Sequence, residues 1–106
     1  MSEVVIAGPD PEGLGEALEA EGASVSHADG TATRPDLEDA GIVDADVFVV
    51  TDAGLATSVP IAVDSNPDIR IVMYTRDSVP EFVKGQAGHI IDPAILDPET
   101  VAEELV

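Results

Sequence analysis

The chain has 106 residues, room for one domain and one core, and its 44% apolar content is that of a folded globular protein. It has no cysteine, which excludes disulfides, thiolate metal sites and cysteine nucleophiles, and neither a membrane-length apolar run nor a secretion-signal start. Twenty-two acids against four cations (Arg34, Arg70, Arg76, Lys84) give a net charge of −18 and leave no basic stripe for nucleic acid.

Short apolar runs alternate with amphipathic stretches along the whole chain, the pattern of βα units around a parallel sheet. A first strand is predicted over Val4 to Ala7, followed by the turn Gly8-Pro9-Asp10-Pro11. Asp10 reads as an N-cap with Pro11 as first helical residue; Leu14, Ala17 and Leu18 then recur at helical spacing, and Gly22 ends the helix. Ala23 to Ala28 is a weaker second strand, diluted by Ser24, Ser26 and His27. Thr33 and Pro35 open a short helix carrying Leu37 and Ala40 and closed by Gly41. Val47 to Val50 is the clearest buried strand. Ala53 to Asp64 reads as helical, with Pro60 kinking it or confining it to its ends. Asn66-Pro67-Asp68 turns the chain into a fourth strand, Ile69 to Tyr74. Asp77 is predicted to cap a short helix around Pro80 to Lys84; His89 to Ile91 is a brief fifth strand, and Asp97-Pro98-Glu99 starts a last helix ending at Leu105 and Val106.

Five strands joined by right-handed crossovers predict an α/β, Rossmann-like, doubly wound five-stranded parallel sheet of order 2-1-3-4-5, with helices on both faces. Ala, Val and Ile dominate its core, beside two Phe, one Tyr and no Trp. The acids are spread over every predicted helix and turn, so they read as a solvated surface. Self-repulsion of that size is tolerable where molar salt shortens the screening length to about 3 Å, so we expect a cytoplasmic protein of a salt-accumulating cell.

Ligands of such sheets bind beyond the carboxyl ends of the strands. There the turn Gly8-Pro9-Asp10-Pro11-Glu12-Gly13 keeps the outer glycines of G-x-G-x-x-G but puts Asp10 where the middle one belongs. Asp10 and Glu12 stand at a helix N-terminus, where a carboxylate occupies the amides a phosphate would use. Asp29, 16 residues past Gly13, is near the usual spacing of about 20 for an acid that holds a ribose, and with Gly30 it is equally a plain turn. Thr51 and Asp52 end the third strand on the same rim, and Thr75, Arg76 and Asp77 end the fourth. Arg76 is the one cation there that could meet a phosphate or carboxylate. His27 and His89 lack metal-ligand spacing, and no serine has the setting of a nucleophile. The residues therefore assign no catalytic group and no metal site.

The stretch Asp29-Gly30-Thr31-Ala32-Thr33-Arg34-Pro35-Asp36-Leu37-Glu38-Asp39-Ala40-Gly41-Ile42, then Asp44-Ala45-Asp46, Thr51-Asp52 and Gln86-Ala87-Gly88-His89, resembles the N-terminal nucleotide-binding (RCK) domain of TrkA-type potassium-uptake regulators, in a short stand-alone haloarchaeal form. That resemblance implies an adenine nucleotide such as NAD(H), ATP or AMP, a homodimer, and a transport or regulatory protein as partner. Against that pattern the middle glycine is missing, and the family's second and third strands look collapsed into Ala23 to Ala28. Residues 1–106 thus read as a single truncated domain of this kind. Short haloarchaeal chains of this pattern are also associated with the name CTP synthetase. The residues do not support that activity: there is no cysteine for a glutaminase, no G-K-[ST] loop, and too little chain for an amidoligase site.

The leading expectation is thus a non-enzymatic nucleotide-binding or regulatory module using Gly8, Pro9, Asp10, Gly13, Asp29, Gly30, Thr51, Asp52 and Arg76. One alternative is a ligand-free protein-interaction domain that lost the pocket. Another is a response-regulator receiver, with Asp52 as phosphoacceptor and Thr75 as switch threonine. That chemistry needs a pair of acids after strand one for Mg²⁺ and a lysine after strand five. Here the first rim offers only Asp10, and Ile91-Asp92-Pro93 has no lysine.

Overall fold

A computed structural model describes residues 2–10, 12–28, 30 and 32–106. Val, Ile and Phe make strands wherever they run uninterrupted: β1 (Glu3–Ala7), β3 (Val47–Val50) and β4 (Arg70–Tyr74) are buried on both faces from their second residue or earlier. Two thinner strands, β2 (Ser24–Ala28) and β5 (His89–Ile91), flank them. All neighbours pair in parallel in the order β2-β1-β3-β4-β5, as expected. The register sets Ala7 beside Val50, and Val50 beside Met73.

Alternation along the strands sorts the core into two layers. Val5, Ala7, Phe48, Val50, Ile71 and Met73 pack with Leu37, Val59, Ala62 and Val83. Those four come from α2 (Arg34–Asp39), α3 (Ser58–Ser65) and α4 (Glu81–Lys84). Val4, Ile6, Val47, Val49, Val72 and Tyr74 pack with Leu14, Leu18, Val101, Ala102 and Leu105. These come from α1 (Leu14–Ala20) and α5 (Pro98–Leu105). The sheet is covered on both faces.

Three local expectations need correction. The first helix starts at Leu14, after Gly13 in the left-handed region (φ 76°), four residues beyond the predicted cap. Pro11, the predicted first helical residue, lies outside the described residues. The stretch from Ala53 divides into a 3₁₀ turn (Ala53–Leu55) and α3, which puts Pro60 at the third helical position, where its missing N–H breaks no bond. Asp77 does not cap α4, which starts after Pro80; the Asp77 N–H instead donates to Thr75 Oγ1 (3.1 Å). The expected caps of α2 and α5 form. Thr33 donates its N–H and hydroxyl to Asp36 Oδ2 (3.1 and 2.7 Å), and Asp97 Oδ1 accepts from Thr100 N–H (2.8 Å).

Candidate functional site

The carboxyl ends of β1, β3 and β4 open on a cavity of about 200 Å³. The loop after β1 contributes Asp10 and Glu12, the end of β3 Thr51, the end of β4 Tyr74 to Asp77, and the loop after β5 Pro93. Its walls are set by close approach of two loops. Gly8 has φ 102°, and a Cβ there would stand 2.5 Å from Thr51 Oγ1. Only glycine lets the chain leaving β1 pass so near the end of β3. The Thr51 hydroxyl lies between the Ala7 carbonyl (3.2 Å) and the Pro9 carbonyl, with one proton to share between them.

Asp10 uses both of its carboxylate oxygens as a cap. Its Oδ1 accepts from Leu14 N–H (2.8 Å) and its Oδ2 from Gly15 N–H (2.7 Å), so both oxygens hold the free amides that open α1. Gly15 is tight against this carboxylate: a Cβ would stand 3.1 Å from Asp10 Oδ2. Glu12 and Arg76 span the cavity mouth in an ion pair at 3.4 Å. The Arg76 side chain is 63% exposed, so solvent discounts this pair heavily. Tyr74 is buried and its hydroxyl donates to the Leu96 carbonyl (2.9 Å). Burial pushes its pKa up, helped by the negative charge of Glu12, Asp97, Asp10 and Glu99.

The structure brings Asp10, Thr51 and Arg76 to one cavity, shaped by Gly8 and by the Pro9 carbonyl. Gly13 precedes α1 and Gly30 follows β2; neither lines the cavity. Asp29 lies outside the described residues. Asp52, placed on the rim by the sequence, is not part of the lining either: its Oδ1 accepts from Gly54 N–H (2.8 Å) and caps the 3₁₀ turn that follows. Sequence reasoning missed Tyr74 and Pro93. The register of β4 could have revealed Tyr74, since the last residue of a central strand faces its carboxyl rim. Nothing in the sequence signals Pro93. Among the described residues, no three acids or histidines are grouped to hold a metal ion.

The arrangement has consequences for two chemistries. A nucleotide phosphate would need the opening amides of α1, which Asp10 fills. A phosphoryl acceptor would need a free carboxylate facing the cavity from the end of β3, where the hydroxyl of Thr51 stands. In the loop after β5, Asp92 does not line the cavity and accepts from Ala94 N–H (2.8 Å).

The chain belongs to a family of unknown function, DUF7126, whose model matches residues 4–105. No curated protein matches it. Its structure is similar to a CheY-like response regulator receiver domain protein from Methanospirillum hungatei, with TM-score 0.72 and 19% identity over 99% of this chain and 90% of that one. It is similar to the pseudo-receiver domain of the CikA protein, with TM-score 0.67 and 16% identity over 99% and 94%. A chain from the complex of histidine kinase ThkA with response regulator TrrA gives TM-score 0.73 and 14% identity over 100% and 99%. These findings overturn the resemblance to TrkA-type RCK domains. The described part of the motif that carried it is a capped six-residue helix and a glycine stop. That local chemistry serves any short crossover between parallel strands. The homodimer and nucleotide implied by that family lose their support with it. No helix of the described residues is long and apolar enough to cross a membrane.

Proposed function

We propose that this DUF7126 member is a receiver-like signalling domain that acts through protein contact and accepts no phosphoryl group. One observation carries the reading. The side chain reaching the cavity from the end of β3 is Thr51, held by the Ala7 and Pro9 carbonyls, while the neighbouring carboxylate of Asp52 is spent on Gly54. The remaining parts of phosphotransfer chemistry are missing in the same way. Asp10 is committed to capping α1, each carboxylate oxygen accepting one backbone N–H. The stretch Ile91-Asp92-Pro93 after β5 supplies no lysine, where the reaction needs positive charge. The likeness to a domain described as a pseudo-receiver supports this reading.

The proposed partner is a protein. One similar structure holds a response regulator together with a histidine kinase, which shows what surfaces of this fold can do. Incubation with acetyl phosphate and Mg²⁺ in molar KCl, followed by intact mass measurement, is expected to leave the mass unchanged. Thermal melting with NAD(H), ATP or AMP at millimolar concentration is expected to show no shift. A phosphoryl adduct mapped to Asp52 overturns the proposal from one side, and a saturable nucleotide shift from the other.

A further inference from the structure

We infer that the free edge of β5 pairs with the same edge of a second copy of this chain, antiparallel, about a twofold axis at Ile90. The inference goes beyond the proposed function and does not rest on the chemistry of the rim.

β5 ends the sheet and has no strand on its outer side. The Ile91 carbonyl points inward and accepts from Thr75 N–H (3.1 Å), so alternation turns the Ile90 peptide groups outward. Edge strands are normally protected by very short length, charge, proline or a bulge. β5 is short, three residues, but His89, Ile90 and Ile91 include no acid and no proline, in a chain of net charge −18. Each face of the strand carries an isoleucine. On one, Ile90 is 47% exposed beside Met73 in register, and α4 over that face exposes Phe82. On the other, Ile91 lines a groove of about 310 Å³ with Leu96 and Leu105 of the α5 side. Ile95, in the loop between, is 78% exposed.

Charge selects the occupant. The start of β5 is basic: Arg70 packs against Gly88, and Lys84 ends the preceding helix. Arg70 is exposed and, among the described residues, has no acid within ion-pair distance. That is unusual with 22 acids against four cations. The end of β5 is acidic, with Asp92 and then Asp97. Antiparallel pairing about Ile90 sets Gly88 against the partner's Asp92, so Arg70 meets that acid twice across the axis. Ile90 faces Ile90 at the centre, where the short strand needs side-chain contact because it offers few hydrogen bonds. A second copy is thus complementary in charge as well as in apolarity, and a twofold contact closes on itself.

The cysteine-free chain allows a direct test. Cβ atoms directly opposite each other in an antiparallel pair are about 4.5–5.5 Å apart, near disulfide range. Ile90→Cys is expected to give a covalent dimer under mild oxidation in molar KCl. Val43→Cys, 55% exposed on the Ile42–Asp44 turn, is expected to form no covalent dimer under the same conditions. In sedimentation, the unmodified chain is expected to self-associate, Ile90→Asp to be monomeric with an unchanged circular dichroism spectrum, and Arg70→Glu to associate at least several-fold more weakly. Arg70→Glu combined with Asp92→Arg is expected to recover association. A chain monomeric at every concentration, or a dimer indifferent to Ile90→Asp and Arg70→Glu, overturns the inference.

Discussion

Replacing Asp10 with alanine tests whether its carboxylate is a structural cap. The two bonds to Leu14 N–H and Gly15 N–H are short and charge-assisted, at 2.8 and 2.7 Å, and partly buried. A hydrogen bond to a charged group contributes about 1.5–3 kcal/mol, while losing an N-cap acceptor typically costs about 1 and at most about 2 kcal/mol, because water reaches the freed amides. Here both oxygens are used and α1 is only seven residues long, so we expect a loss near the upper end, about 2 kcal/mol. For a chain of this size that lowers Tm by about 8–16 °C. Asp10→Asn separates acceptor from charge: it keeps one oxygen, so about half of the loss should remain. Removing one of 22 acids also relieves repulsion, which would mask the effect in dilute buffer. The melts therefore belong in molar KCl, where screening acts over about 3 Å. A fall of less than about 2 °C for Asp10→Ala would refute the reasoning and mean that those amides need no protein acceptor.

The other predictions probe the cavity wall, the core and the buried phenol. Gly8→Ala combines φ 102° with a Cβ 2.5 Å from Thr51 Oγ1 and should cost about 2–3 kcal/mol in chemical denaturation. Gly22→Ala, at φ 93° with open space around the new Cβ, should cost only about 1 kcal/mol, and equal losses would show that the contact with Thr51 does not matter. Phe48→Ala empties a fully buried position between strand and helices and should cost about 3–5 kcal/mol in chemical denaturation. Tyr74 is the one tyrosine in a chain without tryptophan, so ultraviolet absorbance reports its ionisation alone. Its folded pKa lies above 10.0, so the folded state holds this proton more tightly than the unfolded chain does. The stability it contributes is full below pH 10.0 and is lost as pH rises toward the folded pKa. Tyr74→Phe should flatten the alkaline decline in Tm, and a tyrosine titrating at its ordinary value in the folded protein would contradict this.

How much could be read from the chain depended on whether the signal was local. Val47 to Val50 shows itself as a buried strand because four consecutive apolar residues admit no other economical placement, and its neighbours follow by alternation and glycine stops. The start of α1 was less legible: Asp10 was recognised as a cap, but not that it reaches Leu14 and Gly15 from outside the helix. Asp52 misled for a related reason. Its position after a strand suggests a residue of the rim, yet which of Thr51 and Asp52 reaches the cavity depends on the strand's facing. The cavity takes Thr51 and the turn takes Asp52. The motif around Asp29 to Ile42 suggested a lineage when it encodes a crossover.

By itself the sequence determined the sheet order, the two-layered core and the acidic surface, because hydrophobic period, turn chemistry and net charge are properties of near neighbours and of sums. Tertiary structure alone decided what the rim can do. Whether a carboxylate is free depends on which amides lie within about 3 Å of it, and those are set by how two loops far apart in the chain are brought together across Gly8.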